Sequence, residues 1–261
     1  MWLRVSGLLL RYLYLYRHSP TRVGEIVFWP VMDLLVWGFV TAYLRRLVLP
    51  DAVVFFLGSL ILWDVLYRAQ LAITLSLTEE VWVKNLLNLF IAPIRVAELL
   101  LATCLMGVLR AALNALVLGS LAYTLYAFNL LRLGPALLPF LLSLLLFGWA
   151  VGMCTMALVL RFGQAAEALV WGVPFLLQPV SAVFYPLDVL PPWLQAVAVL
   201  LPSTHVFEGM RAVLRTGTLE VSTLAVAFTL NLAYLGLGAA FFGYMLHQAR
   251  EKGYLTRLGL H

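Results

Sequence analysis

Long apolar runs, separated by short polar or proline-rich punctuation, dominate this chain, and within them apolar residues do not alternate with polar ones. Runs of about 20 apolar residues read as helices crossing a hydrocarbon layer of roughly 30 Å, whereas the strands of a membrane barrel would alternate. Six such runs are visible, over residues 26–44, 52–77, 99–128, 135–160, 168–184 and 222–246. Arg45-Arg46 ends the first, and Pro50-Asp51 turns the chain into the second. Pro174 and Pro179 predict a kink in the fifth, because proline lacks an amide hydrogen and clashes with the preceding turn. Residues 1–19 follow another pattern: Arg4, Arg11 and His18 recur every seven residues on one face, with Trp2, Leu9, Leu13 and Tyr16 elsewhere. This predicts a basic amphipathic helix lying in the membrane interface. A signal peptide fits less well, since Arg11 interrupts its apolar centre and no small-residue cleavage site precedes Pro20.

Two connecting segments are too patterned to be plain loops. In residues 78–98, Thr78 can cap a helix with Glu79 and Glu80 in its first turn, Val81, Leu86, Leu89 and Phe90 form an apolar stripe, and Pro93 ends it. Such a helix between two spans either transmits force to a soluble partner or packs on the headgroups. In residues 184–217, Pro191-Pro192 open a run of about ten residues closed by Pro202, too short to span. Ser203 or Thr204 can cap a second short helix that Gly217 ends, with Glu208 and Arg211 paired at i, i+3 on its surface. The regular prolines favour a helical hairpin dipping into the outer leaflet over a loose external loop.

Composition sharpens the class. Of 261 residues 64% are apolar and 11% charged, with a mean hydropathy of +0.99, where a soluble domain has roughly 25% charged residues. The chain is therefore expected to be an all-α integral membrane protein with no room for a soluble catalytic domain. Cys104 and Cys154 lie in apolar runs without metal spacing, and the four histidines lack an H-E-x-x-H pattern, so no metal site is expected. The net charge of +5 is better explained by basic residues beside spans than by nucleic acid. Ten Lys and Arg fall on one side of the expected membrane and five on the other, which places both termini in the cytoplasm.

Charges inside the runs carry the most chemical information. Asp64 and Arg68 share a helix face, and Arg110 lies at matching depth in the antiparallel neighbour. Each costs roughly 2.5–3.5 kcal/mol at the membrane centre, so the three are expected to cluster inside the bundle with a net charge of +1. The cluster is either a structural ion pair or a contact for an anionic substrate group. Gly148 and Gly152 form a G-x-x-x-G pair suited to close helix packing, within the chain or between chains. Trp29, Trp37, Trp63, Trp149 and Trp171 read as interfacial or packing residues, with substrate stacking as the alternative.

The order of these parts resembles the ABC-2 family of ATP-binding-cassette transporter permeases: an amphipathic amino-terminal helix, six spans, a cytoplasmic helical loop between spans two and three, and a re-entrant segment before the last span. The closest match runs from Phe184-Tyr185-Pro186-Leu187-Asp188 through Pro191-Pro192-Trp193 and Pro202 to Glu208 and Arg211, with Lys84-Asn85-Leu86-Leu87 through Ala92-Pro93 and Glu98 as a second. The resemblance implies one domain over residues 1–261, with an interfacial helix (1–22), a coupling loop (78–97) and an external hairpin (185–221). It implies that Glu79, Glu80, Lys84 and Asn85 contact an ATPase. It also implies that Pro186, Pro191, Pro192, Trp193, Pro202, Glu208 and Arg211 form an external gate. A second permease chain, expected to be an identical copy, would complete the pathway in a bacterial-type inner membrane. The family exports drugs, lipids, glycolipids or polysaccharides, so the chain is expected to be a transport subunit rather than an enzyme. No cofactor is expected in it, since a phosphate loop requires G-x-x-x-x-G-K-[ST] and neither Lys84 nor Lys252 sits in one. ATP and magnesium would then belong to the partner ATPase.

Two other classes remain open at this level. An intramembrane lipid-modifying enzyme needs a reactive pair, and the carboxylates Asp33 and Asp64 lie in different runs. An ion-coupled carrier predicts inverted repeats and broken midplane helices, of which only the kinked fifth run is a sign.

Overall fold

The computed structural model describes residues 1–46, 52–82 and 94–252, which are mostly helical and contain no strand. The helices are α1 (Trp2–Arg17), α2 (Pro20–Arg46), α3 (Ala52–Trp82), α4 (Val96–Tyr126), α5 (Leu137–Phe162), α6 (Glu167–Val180), α7 (Pro192–Ala198), α8 (Pro202–Thr216) and α9 (Val221–Glu251). Short 3-10 turns occur at Leu130–Ala136, Gly163–Ala166 and Leu187–Val189.

Each of the six expected runs falls on a helix, but they are unequal. Four are long and apolar enough to cross a membrane: those of α3, α4, α5 with the turn before it, and α9. The apolar parts of α2 (Val27–Tyr43) and α6 (Ala168–Val180) are shorter. With 14 residues, α6 rises about 21 Å, less than a hydrocarbon core. It stops at Ser181, after which Ala182 adopts a left-handed backbone (φ 51°), so the fifth run ends before Phe184. The pair α7–α8 is bent by 98° between its helices, and together the two are apolar enough to pass as one broken span.

α3 is the axis of the bundle. It packs against α5 on one side and α4 on another, with α9 beyond α5 and α2 against both α3 and α4. The α3–α5 contact is close because Gly148 and Gly152 face α3. A Cβ on Gly148 would sit 2.6 Å from both the Ala69 Cβ and the Leu66 carbonyl oxygen, and one on Gly152 would sit 2.9 Å from the Gln70 carbonyl oxygen. The G-x-x-x-G pair thus serves packing within the chain. Trp149 turns from α5 toward α4, its indole nitrogen lying 3.3 Å from where a Cβ on Gly107 would stand. Polar ties cross the bundle as well: Asn231 Nδ2 donates to Ser143 Oγ at 2.7 Å (α9 to α5), and Gln70 Nε2 donates to the Val170 carbonyl at 3.2 Å (α3 to α6). Such bonds hold helices together where lipid removes the hydrophobic drive for association.

Two expectations about helix ends are corrected. α3 runs on through Trp82, so Thr78 caps nothing; it lies inside the helix and donates to the Thr74 carbonyl at 2.7 Å. Pro202 is the first residue of α8, so Ser203 lies within the first turn and its hydroxyl pairs with that of Ser181 at 2.8 Å. Glu98 opens α4 in a reciprocal cap with Arg95, whose backbone N–H it accepts at 2.9 Å. Gly217 ends α8 as read, in a left-handed conformation (φ 72°). Lys84, Asn85 and the apolar stripe that follows them lie outside the described residues.

Candidate functional site

A cavity of about 460 Å³ lies between α2, α3 and α6. Asp33 of α2 and the pair Asp64 and Arg68 of α3 stand on its wall. Arg68 Nε donates to Asp64 Oδ1 at 3.1 Å, the i, i+4 pair expected of one helix face. Among the described residues Asp33 forms no ion pair, though Asp33 and Asp64 are within mutual electrostatic range and Arg68 acts on both. The rest of the wall is largely aromatic, with Trp29 and Trp37 from α2, Trp63 and Tyr67 from α3, and Trp171 and Phe175 from α6. Arg68 also lies over the Tyr67 ring, 5.6 Å from its centre. Two rings of the wall belong to a stack of three: Trp37 lies 5.2 Å from Phe184 and 6.0 Å from Phe56, and Phe56 lies 5.8 Å from Phe184.

Arg110 is not on this wall. It is buried on α4 with its guanidinium 4.6 Å above the Tyr16 ring of α1. The expected three-charge cluster therefore separates into the Asp64–Arg68 pair and an arginine stacked on the amino-terminal helix. The net charge of the cavity changes accordingly, from one positive to one negative, because Asp33 enters and Arg110 leaves.

At the α1 end of the bundle, the two arginines of the seven-residue spacing find acidic partners, while the His18 ring bonds the Tyr14 carbonyl of its own helix. Arg11 reaches Glu80 at 2.6 Å, Arg4 reaches Glu98 at 3.5 Å, and the amino terminus lies 3.9 Å from Glu98. Glu80 and Glu98 are both buried, and they flank residues 83–93 in the chain. Between these charges α1 buries Val5, Leu8 and Tyr12 in the core formed by α3, α4, α5 and α9. It leaves Leu3, Leu10 and Tyr14 exposed. Burial pushes the Tyr12 phenol up to about 12, with Glu80 adding to the shift. The hydrogen bond that the Arg11 guanidinium donates to Glu80 raises its already high value further.

The residues expected to form a gate gather at the opposite end. Arg211 is buried rather than on the surface, and its guanidinium donates to the Ala182 carbonyl at 2.8 Å, to that of Val183 at 3.3 Å, and to Glu208 Oε1 at 2.8 Å. Glu208 Oε1 also accepts the Leu187 backbone N–H at 2.8 Å. Tyr185 donates its hydroxyl to the Pro179 carbonyl at 2.6 Å, and Gln195 Nε2 donates to the Leu190 carbonyl at 2.7 Å. The Glu208–Arg211 pair thus fixes both sides of Phe184, whose ring lines the cavity. Pro186 and Pro191 take extended backbone angles beside the 3-10 turn, Pro192 starts α7, and Trp193 next to it is exposed.

Sequence reasoning found the Asp64–Arg68 and Glu208–Arg211 pairs, but it set Asp33 apart from Asp64 and missed the convergence of the tryptophans on one cavity. A signal was present. Trp29, Asp33 and Trp37 are spaced by four, which puts an acid between two indoles on one helix face. Trp63 and Tyr67, and Trp171 and Phe175, repeat the spacing of four. What no spacing shows is that the three faces meet.

Comparison with known proteins agrees with this architecture. No curated protein matches the chain significantly. A family model described as ABC-2 type transporter matches residues 16–214, from the end of α1 through the gate pair in α8. Members of that family are transport components, not themselves catalytic, and typically work with ABC ATPase subunits. With most of its length matched and its helices arranged as described, the chain belongs to the ABC-2 type transporter family and is a multi-pass transmembrane component of an ABC-type transporter.

Proposed function

We propose that this chain is the permease subunit of an ATP-driven exporter, in which two copies form a pathway for an amphipathic substrate. The carrying observation is the aromatic cavity with the Asp64–Arg68 pair on its wall and two of its rings, Trp37 and Phe184, stacked with Phe56. Small-molecule sites are mostly apolar and hold a few placed polar groups, and this cavity has that character. In this reading both termini are cytoplasmic, α2 and α6 complete six membrane passes, and α7–α8 is an external re-entrant lid. A separate ATPase carries ATP and magnesium and docks beneath residues 78–97, where Glu79, Lys84 and Asn85 are its contacts, while Glu80, expected among them, is buried against Arg11. Closure of the ATPases would move this loop. Glu80 and Glu98 would pass the movement to α3 and α4, and the two copies would alternate between inward-open and outward-open forms.

Asp33 and Asp64 share the cavity, which is the arrangement an intramembrane hydrolase would use. Asp64 is engaged by Arg68, and family membership supports transport over chemistry. The test is purification of the tagged full chain from its native membranes in mild detergent. Co-purification of a P-loop ATPase, together with ATP-dependent efflux after reconstitution that Phe184→Ala alters, is the expected result. Substrate movement by the chain alone, with no ATPase present, would overturn the reading.

A further inference from the structure

We infer that the cavity between α2, α3 and α6 selects organic monocations with an aromatic or apolar body, held by Asp33 among the surrounding indoles. The inference rests on the proposal that this cavity belongs to the transport pathway, and it names the class of substrate.

Charge comes first. The wall holds two carboxylates and one guanidinium. Arg68 and Asp64 neutralise each other at 3.1 Å, which leaves Asp33 uncompensated among the described residues. A carboxylate within a membrane-spanning helix is costly unless it faces a cavity and finds a counter-charge there. No cationic side chain of the described structure supplies one to Asp33 beyond the already engaged Arg68. Arg110, which would have made the site attractive to anions, is turned away onto Tyr16.

The aromatic surroundings favour the same sign. Trp29 and Trp37 stand one helical turn on either side of Asp33, and Trp63 and Trp171 reach the cavity from the other two helices. The faces of aromatic rings carry negative potential, indole most strongly, and attract cations that are weakly hydrated. A carboxylate beside several indoles is a poor environment for an organic anion, which meets like charge from both sources. A small inorganic cation is also disfavoured, because the wall offers few oxygen ligands and so little replacement for its hydration shell. A quaternary or protonated amine or phosphonium on an aromatic body fits both features, and 460 Å³ lies within the range of about 300–1,000 Å³ common for small-molecule sites.

Two ions of nearly equal shape and opposite charge provide the test: tetraphenylphosphonium and tetraphenylborate. Radiolabelled tetraphenylphosphonium is titrated against the purified full chain in neutral detergent, with unlabelled borate as competitor. The expected result is saturable binding that Asp33→Asn weakens about tenfold, as loss of a charge contact with a poorly screened cation should. Asp33→Glu should retain it, Trp171→Leu should weaken it, and borate should not compete. Retention in Asp33→Glu also shows that the position tolerates replacement without loss of fold. If borate competes as well as unlabelled phosphonium, or Asp33→Asn binds like the wild type, while Trp171→Leu still weakens binding, the preference for cations is overturned and the cavity remains a pathway. If binding is unsaturable, or is unmoved by both Asp33→Asn and Trp171→Leu, the ions do not enter the cavity, and the pathway reading falls along with the inference.

Discussion

Arg11 of α1 and Glu80 in the last turns of α3 meet at 2.6 Å, with the Glu80 side chain only 4% exposed and that of Arg11 37%. The asymmetry decides what the pair is worth. A half-exposed arginine loses little on its own, but its removal leaves a buried carboxylate without its charge-assisted hydrogen bond. After allowing for solvent around Arg11, Arg11→Ala is expected to destabilise the folded chain by about 1–2 kcal/mol. Arg17→Ala, at the exposed end of the same helix, should have no measurable effect. Thermal unfolding of the detergent-solubilised protein compares them, and equal midpoints would mean that Arg11 does not clamp α1 to α3.

Close packing of α5 on α3 gives a sharper steric prediction. Any side chain at Gly148 points its Cβ into backbone and Cβ atoms of α3 at 2.6 Å, and neither can rotate away. Gly148→Leu should cost at least the 1–3 kcal/mol or so typical of overpacking, and should lower the yield of folded protein in the membrane. Gly236→Leu on α9 meets open space within 4 Å and should be tolerated. Monodispersity after extraction distinguishes the two. If Gly148→Leu left the monomer intact and altered only self-association, the seam would lie between chains instead of within one.

What could be read without the structure, and what could not, follows one physical division. Depth along a helix is legible from residue number because the rise is fixed at about 1.5 Å. That rise puts Asp64 and Arg110 at matching depth on paper, and their two helices do pack together. Azimuth is legible only within one helix. The spacing of four gave Asp64–Arg68, and the spacing of three gave Glu208–Arg211, both seen as pairs. The rotation of α4 against α3 depends on side-chain packing across the whole interface, and it turns Arg110 toward Tyr16. The same limit hid Asp33: its face was visible, but the meeting of that face with Asp64 and Trp171 required the arrangement of three helices. Helix ends failed for another reason. Thr78 and Ser203 have the chemistry of caps, yet α3 continues past one and Pro202 begins α8 ahead of the other.

Arg211 tests the gate. It holds two carbonyls of the segment leading to Phe184 and is joined to Glu208, which holds Leu187 on the far side. Arg211→Met removes all three bonds and leaves two carbonyls short of a donor, so it is expected to loosen Phe184 from Trp37 and Phe56. Arg211→Lys should rescue only in part, since an ammonium lacks the planar fork that reaches several acceptors. Glu208→Gln, at a more exposed position, should be milder than either. Labelling of Phe184→Cys in each background by a membrane-impermeant thiol reagent is expected to rise in the order Glu208→Gln, Arg211→Lys, Arg211→Met. A labelling rate unaffected by Arg211→Met would show that the pair does not hold the aromatic stack.

Tyr12 provides a prediction in pH. Its phenol is almost fully buried, its oxygen has no hydrogen-bond partner among the described residues, and burial together with Glu80 pushes it up to about 12, against about 10 in an unfolded chain. Between these values the unfolded state gives up the proton and the folded state keeps it. The folded state therefore binds more protons, and stability falls as pH rises. Below about pH 9 the group is neutral in both states and has no pH-dependent effect. Above pH 10 the loss approaches 1.4 kcal/mol or so per pH unit, the value for one proton. Tyr12→Phe removes the ionisable group along with an oxygen that bonds no described residue, so it should equal or slightly exceed the wild type in stability at neutral pH. The difference between the two midpoints should then widen in favour of Tyr12→Phe from pH 9 to 11. Because the other tyrosines are common to both proteins, this difference isolates Tyr12, and a constant difference over that range would mean that the phenol is not enclosed between α1 and the bundle.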